Sequence, residues 1–217
     1  MSFVNPVWIV ILFNVLPVIS AVTFGWSVLT LLLLYWFENV VLGVINAVKM
    51  LIVGLANGNM TNAASLAFML PFFVFHYGMF CAVHGVFLFA LFGSSNGIGD
   101  NFDMADLPGR VIDVLSASPF VLWNVLLLTA FHVFVFLTDW VGNGRWRGVE
   151  PGVQMFAPYG RVVVIHITIL VGAFAVLLFG QPILAVVLLA VLKTALEVGW
   201  IKFTAARESL AAHSHQA

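Results

Sequence analysis

The chain has 217 residues, of which 63% are hydrophobic and only 8% are charged. A soluble domain carries about 25% charged residues, so the composition excludes an ordinary soluble protein and predicts a membrane protein with several spans. The formal net charge of -1 argues neither for nor against an acidic partner, and no basic stretch is long enough to indicate a nucleic-acid partner.

Three apolar segments in the first half of the chain are each long enough to cross a bilayer, which takes about 20 residues. They cover approximately residues 4–22, 26–55 and 66–92. Pro17 removes a backbone donor inside the first segment, which predicts a kink there. The second segment carries Glu38, and the third carries His76 and His84.

A polar, aspartate-rich break follows the third segment. Residues 105–115 in this break predict a short amphipathic helix lying in the membrane interface. Ser118 and Pro119 supply a capping hydroxyl and a proline at the first helical position, so a fourth span is predicted to begin there. The remaining spans are predicted at about 118–140, 159–179 and 183–203, and 142–158 is predicted to be a loop. Residues 1–208 then form one transmembrane domain, and 209–217 a disordered tail.

Basic residues fall on one side of this predicted bundle. Lys49 ends span two, and Arg145 and Arg147 follow span four. Because cytoplasmic loops carry the excess of Lys and Arg, this side and both termini are predicted to be cytoplasmic, in a multi-pass protein of the inner membrane. The expected fold is therefore all-α, a bundle of six transmembrane helices in a lipid bilayer. We expect its basic rim to contact anionic lipid headgroups. The sequence predicts no oligomeric state.

Four spans each place one ionisable side chain near the middle of the membrane. At about 1.5 Å per residue, the depths from the inner end are about 18 Å for Glu38, 15 Å for His76 and 13 Å for both His132 and Lys193. Each such group would cost about 2.5–3.5 kcal/mol if it faced lipid, so we expect these four groups to face one another.

These residue types favour a metal site, because imidazole nitrogens and a carboxylate suit zinc, iron or copper. The predicted ligands of zinc or another divalent transition metal are Glu38, His76, His132 and His166. A metal-dependent membrane hydrolase is the first hypothesis for function. In it, Lys193 stabilises developing negative charge and Glu197 orients or relays protons.

Two other hypotheses stay open. A proton-coupled transporter would use the same Glu, His and Lys residues, because chains of such groups mark proton pathways. A non-catalytic membrane subunit would instead hold a buried network in which Glu38 pairs with Lys193. The first two hypotheses require Glu38, His76 and His132 to meet in space.

Two further residues have structural predictions. His84 is expected to bond a neighbouring carbonyl, with Gly85 allowing a close helix contact. Asp139 is expected to form an ion pair at the rim with the nearby arginines, of which Arg145 and Arg147 are two.

Several motifs resemble those of an uncharacterised bacterial family of small integral membrane proteins, known only as a domain of unknown function. The motifs are Tyr35-Trp36-Phe37-Glu38-Asn39 with Gly43, Asn46 and Lys49-Met50; Pro71-Phe72-Phe73 through His76-Tyr77-Gly78; His84-Gly85; and Arg161 through His166 to Lys193-Thr194. The resemblance covers most of the chain. It implies several spans and supplies no functional residues.

Overall fold

The computed structural model describes residues 6–56, 60–93, 104–160, 162–163, 166–167, 171, 187, 190–196 and 198–199. The backbone over these ranges is helical apart from turns and short connections, so the all-α prediction is confirmed for them. The six helices with defined bounds are α1 Pro6–Phe24, α2 Val28–Ala56, α3 Met60–Phe92, α4 Leu107–Ser116, α5 Pro119–Val135 and α6 Pro151–Phe156.

Three stretches are long and apolar enough to cross a bilayer: Val28–Ala56, Ala63–Phe92 and Pro119–Val141. They fit an integral membrane protein. The predicted fifth and sixth spans lie mostly outside the described residues, although residues 190–196 in the sixth are helical. The predicted tail 209–217 and Glu197 also lie outside the described residues.

The chain divides into two compact units, one formed by Met1–Val28 with Val163–Ala217 and the other by Leu29–Val162. In the first unit, α1 runs on past Pro17 to Phe24. The proline therefore does not end the helix.

In the second unit, α2 and α3 pack as antiparallel neighbours. The Trp36 indole N–H donates to the Cys81 carbonyl at 2.7 Å, and the Tyr77 hydroxyl donates to the Asn39 carbonyl at 3.0 Å. Gly43 lets the helices approach closely, because a Cβ on this residue would lie 2.3 Å from Cε1 of Tyr77. These contacts fix the register of the two helices on which Glu38 and His76 lie.

The predicted amphipathic helix is present as α4. Its buried side chains Leu107, Val111 and Leu115 recur every four residues and so lie on one face. Leu107 packs near Gly85 on α3. A Cβ added to Gly85 would lie 3.1 Å from Cδ1 of Leu107. The α4 helix therefore covers the end of α3, as an interfacial helix would.

The start of α5 is as predicted, because the Ser118 hydroxyl accepts from the Phe120 N–H at 3.3 Å and Pro119 is the first helical residue. The span ends at Val141, close to the predicted end near Trp140, and its last six residues, Phe136–Val141, are π-helical. The prediction that 142–158 is entirely loop is wrong, because α6 lies within it. The sequence feature that indicates α6 is Pro151, because proline is favoured at the first helical position.

Candidate functional site

Glu38 on α2 and His132 on α5 meet inside the second unit. The distance from His132 Nε2 to Glu38 Oε1 is 3.4 Å, and the two side chains are only 11% and 10% exposed. A lone ionisable group at such a position would be costly in a bilayer, and a partner of opposite type lowers that cost. The structure therefore brings together two of the residues expected to share a site.

The other nitrogen of His132 determines how this pair holds protons. Nδ1 of His132 lies 2.9 Å from the carbonyl oxygen of Leu128, one turn earlier. A carbonyl can only accept, so Nδ1 must carry a hydrogen. In neutral His132 the nitrogen facing Glu38 then has a lone pair, which an ionised carboxylate would repel. The pair is favourable when one further proton lies on Nε2 or on the Glu38 carboxyl group.

A contact between Lys49 and Trp140 indicates how far the Glu38–His132 pair lies from the end of the spans. Lys49 Nζ lies 5.3 Å from the centre of the Trp140 ring, so the last turns of α2 and of the α5 span lie at the same end of the unit. Glu38 precedes Lys49 by eleven residues, or about 16 Å of helix. In a hydrocarbon core about 30 Å thick, that places the pair near the middle.

Asn39, next to Glu38, has an open hydrogen-bond acceptor. Its Nδ2 donates to the Tyr35 carbonyl at 2.9 Å, within α2. Its buried Oδ1 has no hydrogen-bond partner within the described part of the chain. Such an acceptor suits a water molecule or a solute donor.

A second polar pair was not expected from the sequence. Gln154 on α6 donates from Nε2 to Oδ1 of Asn46 at 2.6 Å, while Nδ2 of Asn46 donates to the Gln154 carbonyl at 3.2 Å. Both residues are buried. These two bonds fasten α6 to α2 and are structural, because the Asn46 amide donates to the main-chain carbonyl of Gln154 and accepts from its side chain.

His76 is held by aromatic rings rather than by the Glu38–His132 pair. Its ring centre lies 5.4 Å from that of Phe72, 5.2 Å from that of Phe80 and 5.9 Å from that of Tyr159. Phe72, His76 and Phe80 are four residues apart, so their rings form a row along α3. His76 is half-buried in this row.

The remaining predicted site residues are His166, Lys193 and Glu197. His166 is exposed in the first unit, and Glu197 lies outside the described residues. Buried Lys193 donates from Nζ to Oδ1 of Asn14 at 2.5 Å, within the first unit. Across the described ranges, no group of three or more His, Cys, Asp or Glu side chains is arranged to hold a metal ion. The metal site stays a prediction.

Two structural predictions are confirmed. Arg145 Nη1 lies 2.5 Å from Oδ2 of Asp139, and both side chains are well exposed, as expected for a rim ion pair. Nδ1 of His84 bonds the Phe80 carbonyl at 2.7 Å, and Gly85 lies close to side chains of Leu107 and Trp36.

A family model described as a family of unknown function, DUF6498, matches residues 3–217. The chain belongs to this family. The expected membership of a family of unknown function is thereby confirmed. No curated protein and no solved structure matches the chain. For this DUF6498 member, the chemistry has to be argued from its own side chains.

The Glu38–His132 pair gives this DUF6498 member one acid–base group largely shielded from solvent. The Leu128 carbonyl orients the imidazole so that Nε2 faces the carboxylate. The same group can hold a proton, release it, or replace it with another cation. The π-helical segment begins at Phe136, whose N–H bonds the His132 carbonyl. Such segments occur frequently at functional sites.

Proposed function

We propose that this integral membrane protein is a small proton-coupled carrier whose proton site is the Glu38–His132 pair. The observation that carries the proposal is the 3.4 Å approach of His132 Nε2 to Glu38 Oε1, with Nδ1 already committed to a carbonyl. Ionisable groups buried at this depth usually mark ion or proton pathways. Asn39 Oδ1 offers an acceptor on the same turn of α2.

In this proposal the chain crosses the inner membrane six times, with both termini in the cytoplasm. The Lys49–Trp140 contact supports this orientation, because it places Lys49 at the same end as the Arg145 and Arg147 loop. Lipid bilayer surrounds the spans, and the basic rim contacts anionic headgroups.

Proton entry into proteoliposomes tests the proposal. A pH gradient is imposed with the membrane potential clamped, a trapped pH dye reports entry, and the measurement is repeated with a small-metabolite extract outside. The wild-type chain is expected to carry protons faster than empty liposomes. Glu38→Gln and His132→Gln are each expected to reduce that rate at least about tenfold, because each removes one half of the acid–base pair.

Glu150→Gln is the matched control, since it removes an exposed carboxylate outside the three long spans. Its rate should equal that of the wild type. Equal rates in the wild type and in Glu38→Gln, with and without the extract, would refute the proposal.

Metal binding is a second candidate function, favoured by the same distance. Two ligands at about 2.0 Å from a tetrahedral zinc lie about 3.3 Å apart, close to the 3.4 Å seen here. A metal-ligating histidine also commonly donates its other N–H to a carbonyl. The sequence also predicted His76 and His166 as ligands and Lys193 and Glu197 as catalytic residues, but His76 packs in the aromatic row of α3 instead.

Elemental analysis of the purified chain separates the two candidates. Stoichiometric zinc or another transition metal, lost in His132→Gln, would favour the metal-dependent hydrolase. Metal-free protein with Glu38-dependent proton entry would favour the carrier. If the chain shows neither bound metal nor Glu38-dependent proton entry, the remaining hypothesis is a non-catalytic membrane subunit.

A further inference from the structure

The loop after the α5 span has a defined shape. Gly144 and Gly148 adopt φ values of +65° and +74°, which L side chains rarely adopt. Backbone N–H groups of Gly144 and Arg147 donate to Val141 and Gly144 carbonyls at 3.0 and 3.1 Å. The two glycines therefore bracket a tight turn that displays Arg145, Trp146 and Arg147.

Among the described residues, three cations at this end of the second unit differ in what they contact. Arg145 is paired with Asp139, which also accepts from Asn143 at 3.2 Å. Lys49 lies against the buried ring of Trp140. Arg147 contacts the Trp146 ring at 5.2 Å, and no carboxylate of the described residues lies within ion-pair distance of it.

The position of Arg147 is set by Gly144. A Cβ on Gly144 would lie 2.9 Å from Nη1 of Arg147, so the guanidinium occupies the space that this glycine leaves. Cζ of Arg147 lies over the Trp146 ring, and a guanidinium group suits bidentate recognition of a phosphate.

The loop also lies at the level of lipid headgroups. It follows directly after the span Pro119–Val141, and tryptophan is enriched at this level. A few residues later, Val153 and Phe156 on α6 are 67% and 64% exposed. A phosphate on Arg147 with apolar chains beside Val153 and Phe156 matches a phospholipid, and the charge of Arg147, which no described carboxylate pairs with, favours a headgroup of net negative charge.

We propose that Arg147 and Trp146 bind the headgroup phosphate of an anionic phospholipid, whose acyl chains lie against the exposed side chains of α6. This site is separate from the Glu38–His132 pair. In the segment that follows Arg147, the one acidic residue is Glu150, which is exposed and is not paired with Arg147. Arg145 contributes less because Asp139 already neutralises it.

Native mass spectrometry of the delipidated full chain, titrated with phosphatidylglycerol or phosphatidylcholine, tests this site. One phosphatidylglycerol is expected to bind preferentially. Arg147→Gln should weaken its binding about fivefold, the effect of one basic residue at a membrane surface. Arg147→Lys, which keeps the charge and loses the planar fork, should fall between the two.

Arg110→Gln is the matched control, because Arg110 lies on α4, before the span, while Arg147 lies after it. It should bind phosphatidylglycerol as the wild type does. The proposal would be overturned if Arg147→Gln bound phosphatidylglycerol as the wild type does, or if the wild type bound phosphatidylcholine equally well. It would also be overturned if inorganic phosphate, at the concentration of lipid used, displaced the bound lipid.

Discussion

At the scale of single residues, the two buried histidines of the second unit are anchored alike and differ in what else they meet. His84 and His132 each bond a carbonyl one turn earlier through Nδ1, at 2.7 and 2.9 Å. This bond fixes the ring orientation and leaves Nε2 as the reactive nitrogen. At His132 that nitrogen lies 3.4 Å from the Glu38 carboxylate. The bond to the carbonyl therefore orients the ring, and the carboxylate makes the acid–base site.

The carboxylate of Glu38 should contribute measurably to stability. Glu38→Ala leaves a buried imidazole nitrogen without its partner and is expected to cost about 1–3 kcal/mol. Glu38→Gln should cost less than about 1 kcal/mol, because its amide N–H can still donate to Nε2. Reversible unfolding in mixed micelles measures both variants. Equal losses in the two would show that the Gln amide does not replace the contact with Nε2, and would contradict the hydrogen placed on Nδ1 of His132.

Depth along a helix predicted part of this site. It placed Glu38 and His132 at similar levels, and they do meet. The same depth calculation grouped His76 with them, and His76 instead stacks with Phe72, Phe80 and Tyr159. Depth gives a position along the membrane normal only. The direction in which a side chain leaves its helix depends on packing between helices, which one sequence does not reveal.

At the scale of helices, α2 and α3 are joined through small residues. Gly43 accommodates the Tyr77 ring, and Gly54 accommodates Leu66, whose Cδ2 would lie 2.6 Å from an added Cβ. In lipid, such close backbone approach replaces the hydrophobic driving force that packs helices in water. The glycines of α2 are therefore packing residues with measurable roles.

Gly43→Ala is expected to destabilise the chain by about 1–3 kcal/mol, because its Cβ would overlap a ring held by the Tyr77–Asn39 bond. Gly78→Ala is the matched control, since nothing lies within 4 Å of its Cβ position. That substitution should be neutral or stabilise by up to about 1 kcal/mol. Thermal unfolding in detergent compares them. If Tyr77→Ala does not rescue Gly43→Ala, the ring is not the cause.

Local signals predicted helices better than they predicted contacts. The Ser118 cap with Pro119 and the apolar spacing of α4 were sufficient to place two helix starts. α6 was missed because six residues are too few to show a period, and only Pro151 marks its start. Its pairing with Asn46 lies 108 residues away in sequence, beyond any local pattern.

At the scale of the whole molecule, charge distribution and the α5 span together assign the two membrane sides. The span has 23 residues, about 34 Å of helix, so α4 and the Arg147 loop lie about one bilayer apart. The loop and Lys49 carry basic residues of one end, and α4 carries Arg110 and Asp113 near the other, with Asp106 just before it. The positive-inside rule predicts that the loop lies in the cytoplasm.

Single cysteines introduced at the two ends test this orientation. Cys81→Ala provides the background, because Cys81 bonds Trp36 through its backbone carbonyl, which the substitution keeps. Asp113→Cys and Glu150→Cys then add one exposed thiol on either side of the span. A membrane-impermeant maleimide is expected to label Asp113→Cys in spheroplasts, and Glu150→Cys only after permeabilisation. The reverse pattern would invert the predicted orientation, and labelling of both in sealed cells would show that Pro119–Val141 does not cross the membrane.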